Sequence, residues 1–111
     1  MDLNVDTYPN DAAVISLTGR LDLVSAPEFK ENLDQLVING TQLLIIDLGA
    51  LDFIDSSGLG AIIGALKTAR QAGGELRLVN PQEQARKILE LTTLDKVFQI
   101  HNSVEEALAE A

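Results

Sequence analysis

Cysteine and tryptophan are both absent from the chain, and only 4% of its residues are aromatic. Without thiols there is no thiolate nucleophile, no disulfide and no cysteine-ligated zinc. So few aromatic faces leave no stacking platform for single-stranded nucleic acid. Basic residues are also scarce: eight Lys and Arg stand against seventeen Asp and Glu, for a formal net charge of -9 and a pI near 4.3. Nucleic acids and acidic lipid surfaces are bound chiefly through Lys and Arg, so no nucleic acid and no direct membrane insertion are expected. No stretch approaches the roughly 18 apolar residues that span a bilayer, and Met1 to Asp6 shows neither a basic n-region nor an apolar h-region. The expectation is a cytoplasmic, soluble chain whose acidity suits a basic patch on another protein, although that acidity also serves solubility alone.

What is present is ample aliphatic material. Hydrophobic residues make up 46% of 111 positions, enough to bury one core, and a single domain over residues 1–111 is expected. Leu3, Val5 and Thr7 alternate with polar neighbours, and after Pro9-Asn10-Asp11 a second alternation runs from Ala13 to Thr18, which predicts an antiparallel hairpin. Ser25-Ala26-Pro27-Glu28 has the form of a capping box with Pro in the first turn; Phe29, Leu33, Leu36 and Val37 follow at helical spacing until Gly40. Leu43 to Leu48 is almost continuously apolar, as expected of a strand covered on both faces.

After a loop, Leu59, Ile62, Ile63, Leu66 and Ala69 predict a second helix to about Gln71, stopped by Gly73-Gly74. Glu75 to Val79 alternates as a strand. Asn80-Pro81-Gln82-Glu83 reads as the capped start of a third helix carrying Ala85, Ile88 and Leu89. Val97, Phe98 and Ile100 suit a short last strand, and Ser103 to Glu106 caps a brief final helix. The predicted order is ββαβαβαβα: an α/β fold with a mixed, mostly parallel sheet, an antiparallel edge hairpin and about four helices.

Asp52-Phe53-Ile54-Asp55-Ser56-Ser57-Gly58-Leu59-Gly60 falls between the buried strand and the second helix, where open α/β sheets place their sites. Asp55 or Ser56 can cap that helix, and a phosphate on Ser56 would meet unpaired N–H groups at its positive end. The same two serines are ordinary capping residues, and the residues alone leave that reading open. Gly58, Gly60 and Gly64 each disfavour a helix by about 1 kcal/mol relative to Ala, so they call for a reason. Gly60, Ala61, Gly64, Ala65 and Thr68 would form a small-residue strip for a partner helix; close packing within the domain is the alternative.

Other chemistries lack their parts. His101 stands alone, far along the chain, and reads as a surface residue with no serine to serve as base. Asp22, Asp52 and Asp55 have no further ligand spaced to complete a metal cage, and no Walker lysine follows the glycines. No metal, cofactor or catalytic residue is expected.

Over essentially its whole length the chain resembles the STAS domains of bacterial anti-sigma-factor antagonists. Asp55-Ser56-Ser57-Gly58-Leu59-Gly60 matches the family's phosphorylation loop, and Gly19-Arg20-Leu21-Asp22 its Gly-Glu-Leu-Asp turn. The resemblance implies a non-enzymatic switch, monomeric when free. Its unphosphorylated form would bind an anti-sigma factor that is also a serine kinase and so free the sigma factor for transcription. ATP-dependent phosphorylation of Ser56 would end that binding, and a metal-dependent serine phosphatase would reset it. The implied partner surface comprises Asp22, Asp55, Ser56, Ser57, Gly58, Leu59, Gly60, Ala61 and Gly64. Two positions depart from the pattern: Arg20 replaces the common Glu, and Thr93 stands where the family often has Gly, which would weaken that helix stop. A constitutive, unphosphorylated STAS-like subunit of a lipid-transport complex is the other function in keeping with the fold.

Overall fold

The computed structural model describes residues 1–109. Its five strands lie in chain order across one sheet. β1 (Asp2–Tyr8) and β2 (Ala12–Leu21) form the antiparallel hairpin, with Leu3 opposite Leu17 and Val5 opposite Ile15. Asn10 and Asp11 turn the corner with φ of 66 and 58, a region that Asn and Asp tolerate better than most residues. β3 (Leu43–Ile54), β4 (Glu75–Val79) and β5 (Gln99–His101) then add in parallel, joined by α1 (Ala26–Ile38), α2 (Ser56–Gln71) and α3 (Glu83–Leu91). A 3₁₀ turn at Leu94–Lys96 follows α3, and α4 (Val104–Ala109) ends the described chain. The predicted order and sheet are those observed.

The sheet separates two apolar clusters. Phe29 and Leu33 of α1, Leu59, Ile62, Leu66 and Ala69 of α2, and Ala85 and Leu89 of α3 pack with Ile15, Leu17, Leu44, Ile46 and Leu78 on one face. On the other face Ala12, Val14, Leu43, Ile45 and Val79 meet α4 through Ala107. Ile45 and Ile46 are each fully buried, one on either side, which is why their segment shows no alternation.

Several boundaries differ from expectation. β3 does not end at Leu48: it continues beside β2, Ala50 opposite Thr18 and Ile54 opposite Leu21, so Asp52, Phe53 and Ile54 belong to a strand rather than a loop. Ser25 is no side-chain cap for α1; its hydroxyl donates to the Arg20 carbonyl (2.9 Å) and accepts the Asp22 amide proton (3.0 Å). α3 starts after Gln82, because Asn80 adopts φ 53 and Pro81 is buried ahead of the helix. Val97 and Phe98 precede β5. His101 lies within it, its side chain only 12% exposed, with Nδ1 3.3 Å from the Glu106 carboxylate, so it is no surface residue.

Thr93 takes the left-handed conformation (φ 57) directly after the C-cap Thr92, and α3 stops there despite the missing glycine. A β-branched residue is strained in that region, whereas glycine is not. Thr93→Gly is therefore expected to raise unfolding free energy by about 0.5–1 kcal/mol after its larger unfolded-state entropy is counted. Urea denaturation of the two proteins measures it.

Candidate functional site

β2 and β3 end side by side, and the chain segments that leave them are tied together. From β2, Asp22 opens a tight turn: its Oδ1 accepts the Val24 amide proton at 3.1 Å and that of Ser25 at 3.3 Å. These backbone bonds, that from Ser25 foremost, hold the Asp22 carboxyl below its ordinary pKa, and Arg20 Nε at 3.7 Å from Oδ2 acts in the same direction. Asp22 is thus anionic at neutral pH. The Arg20 guanidinium also lies 4.1 Å over the Phe53 ring, a cation–π contact across the β2–β3 pair.

From β3 only Asp55 intervenes before α2. Its extended backbone (φ -108, ψ -173) and its Oδ1, which accepts the Gly58 amide proton at 2.9 Å, make it the N-cap. Oδ2 accepts the Leu23 amide proton at 3.3 Å, and the Asp55 amide donates to the Leu21 carbonyl at 3.2 Å. Gly58 completes the junction. A Cβ there would lie 2.8 Å from Ile54 Cγ1 and closer still to the Leu21 carbonyl oxygen, a backbone atom that cannot yield.

Ser56 is the first residue of α2 and is exposed, and among the described residues its hydroxyl makes no hydrogen bond. Ser57 and Asp55 are half-buried beside it. The structure thus brings Asp22, Asp55, Ser56 and Ser57 into one surface patch. The small-residue strip is not a free surface along its length. Gly58, Leu59 and Ala65 are buried, Ala61 is packed against the core, and Gly64 lies under the Lys30 side chain, whose ammonium is held by Asp34 (2.6 and 2.7 Å) and Thr68 (3.3 Å). Close packing within the domain explains Gly58; at Gly64 a Cβ would meet only the flexible end of the Lys30 side chain, and Gly60 faces open space.

Sequence reasoning missed two residues of this patch. Leu23 and Val24, in the turn latched to Asp55, are 73% and 87% exposed, unusual for paired aliphatic side chains. Their signal was available: they sit between a strand end and a helix start, outside both periodicities.

The STAS domain model matches residues 2–107. The chain belongs to the STAS domain family. This STAS chain is 33% identical over 101 residues to the anti-sigma-B factor antagonist of Bacillus subtilis, a match covering 90% of this chain and 92% of that protein. Its structure is similar to that of an anti-sigma factor antagonist from Mycobacterium paratuberculosis (27% identity, TM-score 0.87, covering 98% and 92% of the two chains). It also shares the fold of Bacillus SpoIIAA in its unphosphorylated form (24% identity, TM-score 0.85, covering 98% and 95%).

Gly58 and Gly60, both at the start of α2, should respond oppositely to the same change. Gly58→Ala is expected to destabilise the STAS domain by about 2 kcal/mol through overpacking at the Leu21 carbonyl. Gly60→Ala, entering open space on a helix, should stabilise it by about 0.5–1 kcal/mol. Thermal unfolding of the pair separates junction packing from helix propensity.

Proposed function

We propose that this STAS domain is an anti-sigma-factor antagonist whose docking surface is gated by phosphorylation of Ser56. The observation that carries the proposal is the placement of an exposed serine at the first position of α2, unbonded, on a patch shared with Asp22, Asp55 and the uncovered Leu23 and Val24. The names of its relatives supply the partner class, an anti-sigma factor. In the unmodified state the two aliphatic side chains can be buried by a partner, as the apolar anchors of an interface are. Asp22 and Asp55 set its polar edge, together with Ser57 and the open face at Gly60. A phosphate on Ser56 adds nearly two negative charges beside two carboxylates. The partner must then desolvate three anions or leave.

In this reading the partner is the serine kinase that modifies Ser56, a metal-dependent phosphatase restores the hydroxyl, and the chain itself catalyses neither step. The switch works as a single cytoplasmic domain over residues 1–111, monomeric when free. No helix of the described residues is long and apolar enough to cross a membrane. The uncovered Leu23-Val24 pair next to an exposed serine favours a gated interface over a constitutive transporter subunit, where Ser56 would serve the fold alone.

Wild-type, Ser56→Ala and Ser56→Asp chains immobilised as bait in lysate of the source organism test the proposal. Wild type should capture a serine kinase and, on addition of ATP, gain one phosphate, mapped to Ser56 by mass spectrometry. Ser56→Ala should bind and remain unmodified; Ser56→Asp should bind roughly tenfold more weakly or worse. Phosphate absent from Ser56, or undiminished binding by Ser56→Asp, contradicts the gating.

A further inference from the structure

β4 is shorter than the strand it accompanies. Its last pair sets Val79 opposite Asp47, so from Leu48 to Ile54 the β4 side of β3 has no neighbouring strand. The α3 segment takes that place with side-chain amides. Gln82 Nε2 donates to the Gly49 carbonyl, and Gln84 brackets Ile54: its Oε1 accepts the Ile54 amide proton and its Nε2 donates to the Ile54 carbonyl, both at 2.9 Å. A carboxamide is the side-chain group that offers a donor and an acceptor in one plane, as a peptide does, so Gln84 stands in for the missing strand.

The bracketed residue is two positions before Ser56. The Ile54 carbonyl belongs to the peptide whose N–H is that of Asp55, and that N–H donates to the Leu21 carbonyl. One peptide plane is therefore gripped at both ends, by Gln84 from α3 and by Leu21 from β2. Its orientation sets where the Asp55 backbone leaves β3, hence where the Asp55 carboxylate caps α2 and in which direction Ser56 projects.

We propose that Gln84 is a positioning residue for the Ser56 acceptor, fixing the Ile54–Asp55 peptide so that the hydroxyl is presented in a single direction. The proposal rests on Ser56 being the acceptor. Among the described residues Gln84 makes its hydrogen bonds to Ile54 and reaches the Leu23-Val24 turn only through Asp55, so it acts first on presentation of the hydroxyl and less on partner docking. Phosphoryl transfer depends steeply on alignment of the attacking oxygen, whereas docking does not.

Two substitutions and two readouts test this. Gln84→Leu removes both hydrogen bonds; Gln84→Glu keeps the acceptor for the Ile54 amide but sets a carboxylate against the Ile54 carbonyl, and serves if the leucine variant does not fold. Hydrogen exchange should speed up roughly tenfold or more at the Ile54 and Asp55 amides of Gln84→Leu and at the Asp55 amide of Gln84→Glu, with core amides such as Ile45 and Leu78 unchanged. With the kinase captured by the wild-type chain, kcat for Ser56 phosphorylation should fall roughly tenfold with KM held within about twofold. Unchanged exchange at Ile54 and Asp55, or a rise in KM at constant kcat, overturns the assignment. A wild-type chain that accepts no phosphate removes the proposed function, and exchange alone then decides whether Gln84 orders the α2 entrance.

Discussion

The Asp55 carboxylate accepts the Gly58 amide proton through one oxygen and the Leu23 amide proton through the other, so one side chain both starts α2 and pins the turn that leaves β2. Most features of the site depend on this junction. The Asp55 amide on the Leu21 carbonyl and the close seat of Gly58 against the same oxygen draw two strand ends together within a few residues. Because the junction is built largely from backbone partners, it holds its shape while leaving the side chains of Ser56, Leu23 and Val24 to solvent. The scaffold beneath is stiff: the first half of β3, from Leu43 to Leu48, is buried between the two apolar clusters, and three helices cover one face of the sheet.

That division of labour suits the proposed switch, in which one face of the domain would change charge without a change of fold. A phosphoryl group attached at the first turn of a helix would face unpaired N–H groups and the positive end of the helix dipole, so the domain would tolerate the proposed modification. Everything the group alters then lies outward, where Asp22 is held anionic by its own turn and Asp55 is committed to backbone donors. Neither carboxylate is free to move away from a new dianion. The proposed mechanism is thus electrostatic at the surface and passive beneath it, in keeping with a chain that carries many acidic groups and few basic ones.

Much of this was legible in the sequence because the signals were local. Alternation in β1 and β2, the unbroken apolar run of β3 and the aliphatic spacing of α1 and α2 each report burial directly. The segment Asp55 to Gly60 drew attention through its glycines, and Ser56 lies at the start of a helix, where the pattern placed it. The errors arose where a residue serves a distant partner. Ser25 looked like a helix cap but satisfies the Arg20 carbonyl; Asn80 looked like another but turns the chain. Residues 49–54 looked like a loop because pairing with β2, not their own composition, makes them a strand. Gly64 and Thr68 looked exposed until Lys30 reached across from α1. Gln84 carried no signal, since its bond to Ile54 spans thirty positions and an entire crossover.

In the proposed switch Ser56 gains a phosphate while the STAS scaffold stays as it is. Two-dimensional amide NMR spectra of the chain before and after phosphorylation test it most directly. Shift changes should cluster at Asp22 to Ser25 and Asp55 to Gly60, with β3, β4 and α3 core amides in place. Widespread shifts through the sheet, or loss of dispersion, would show that the added charge acts by disturbing the fold and not by reshaping one face of it.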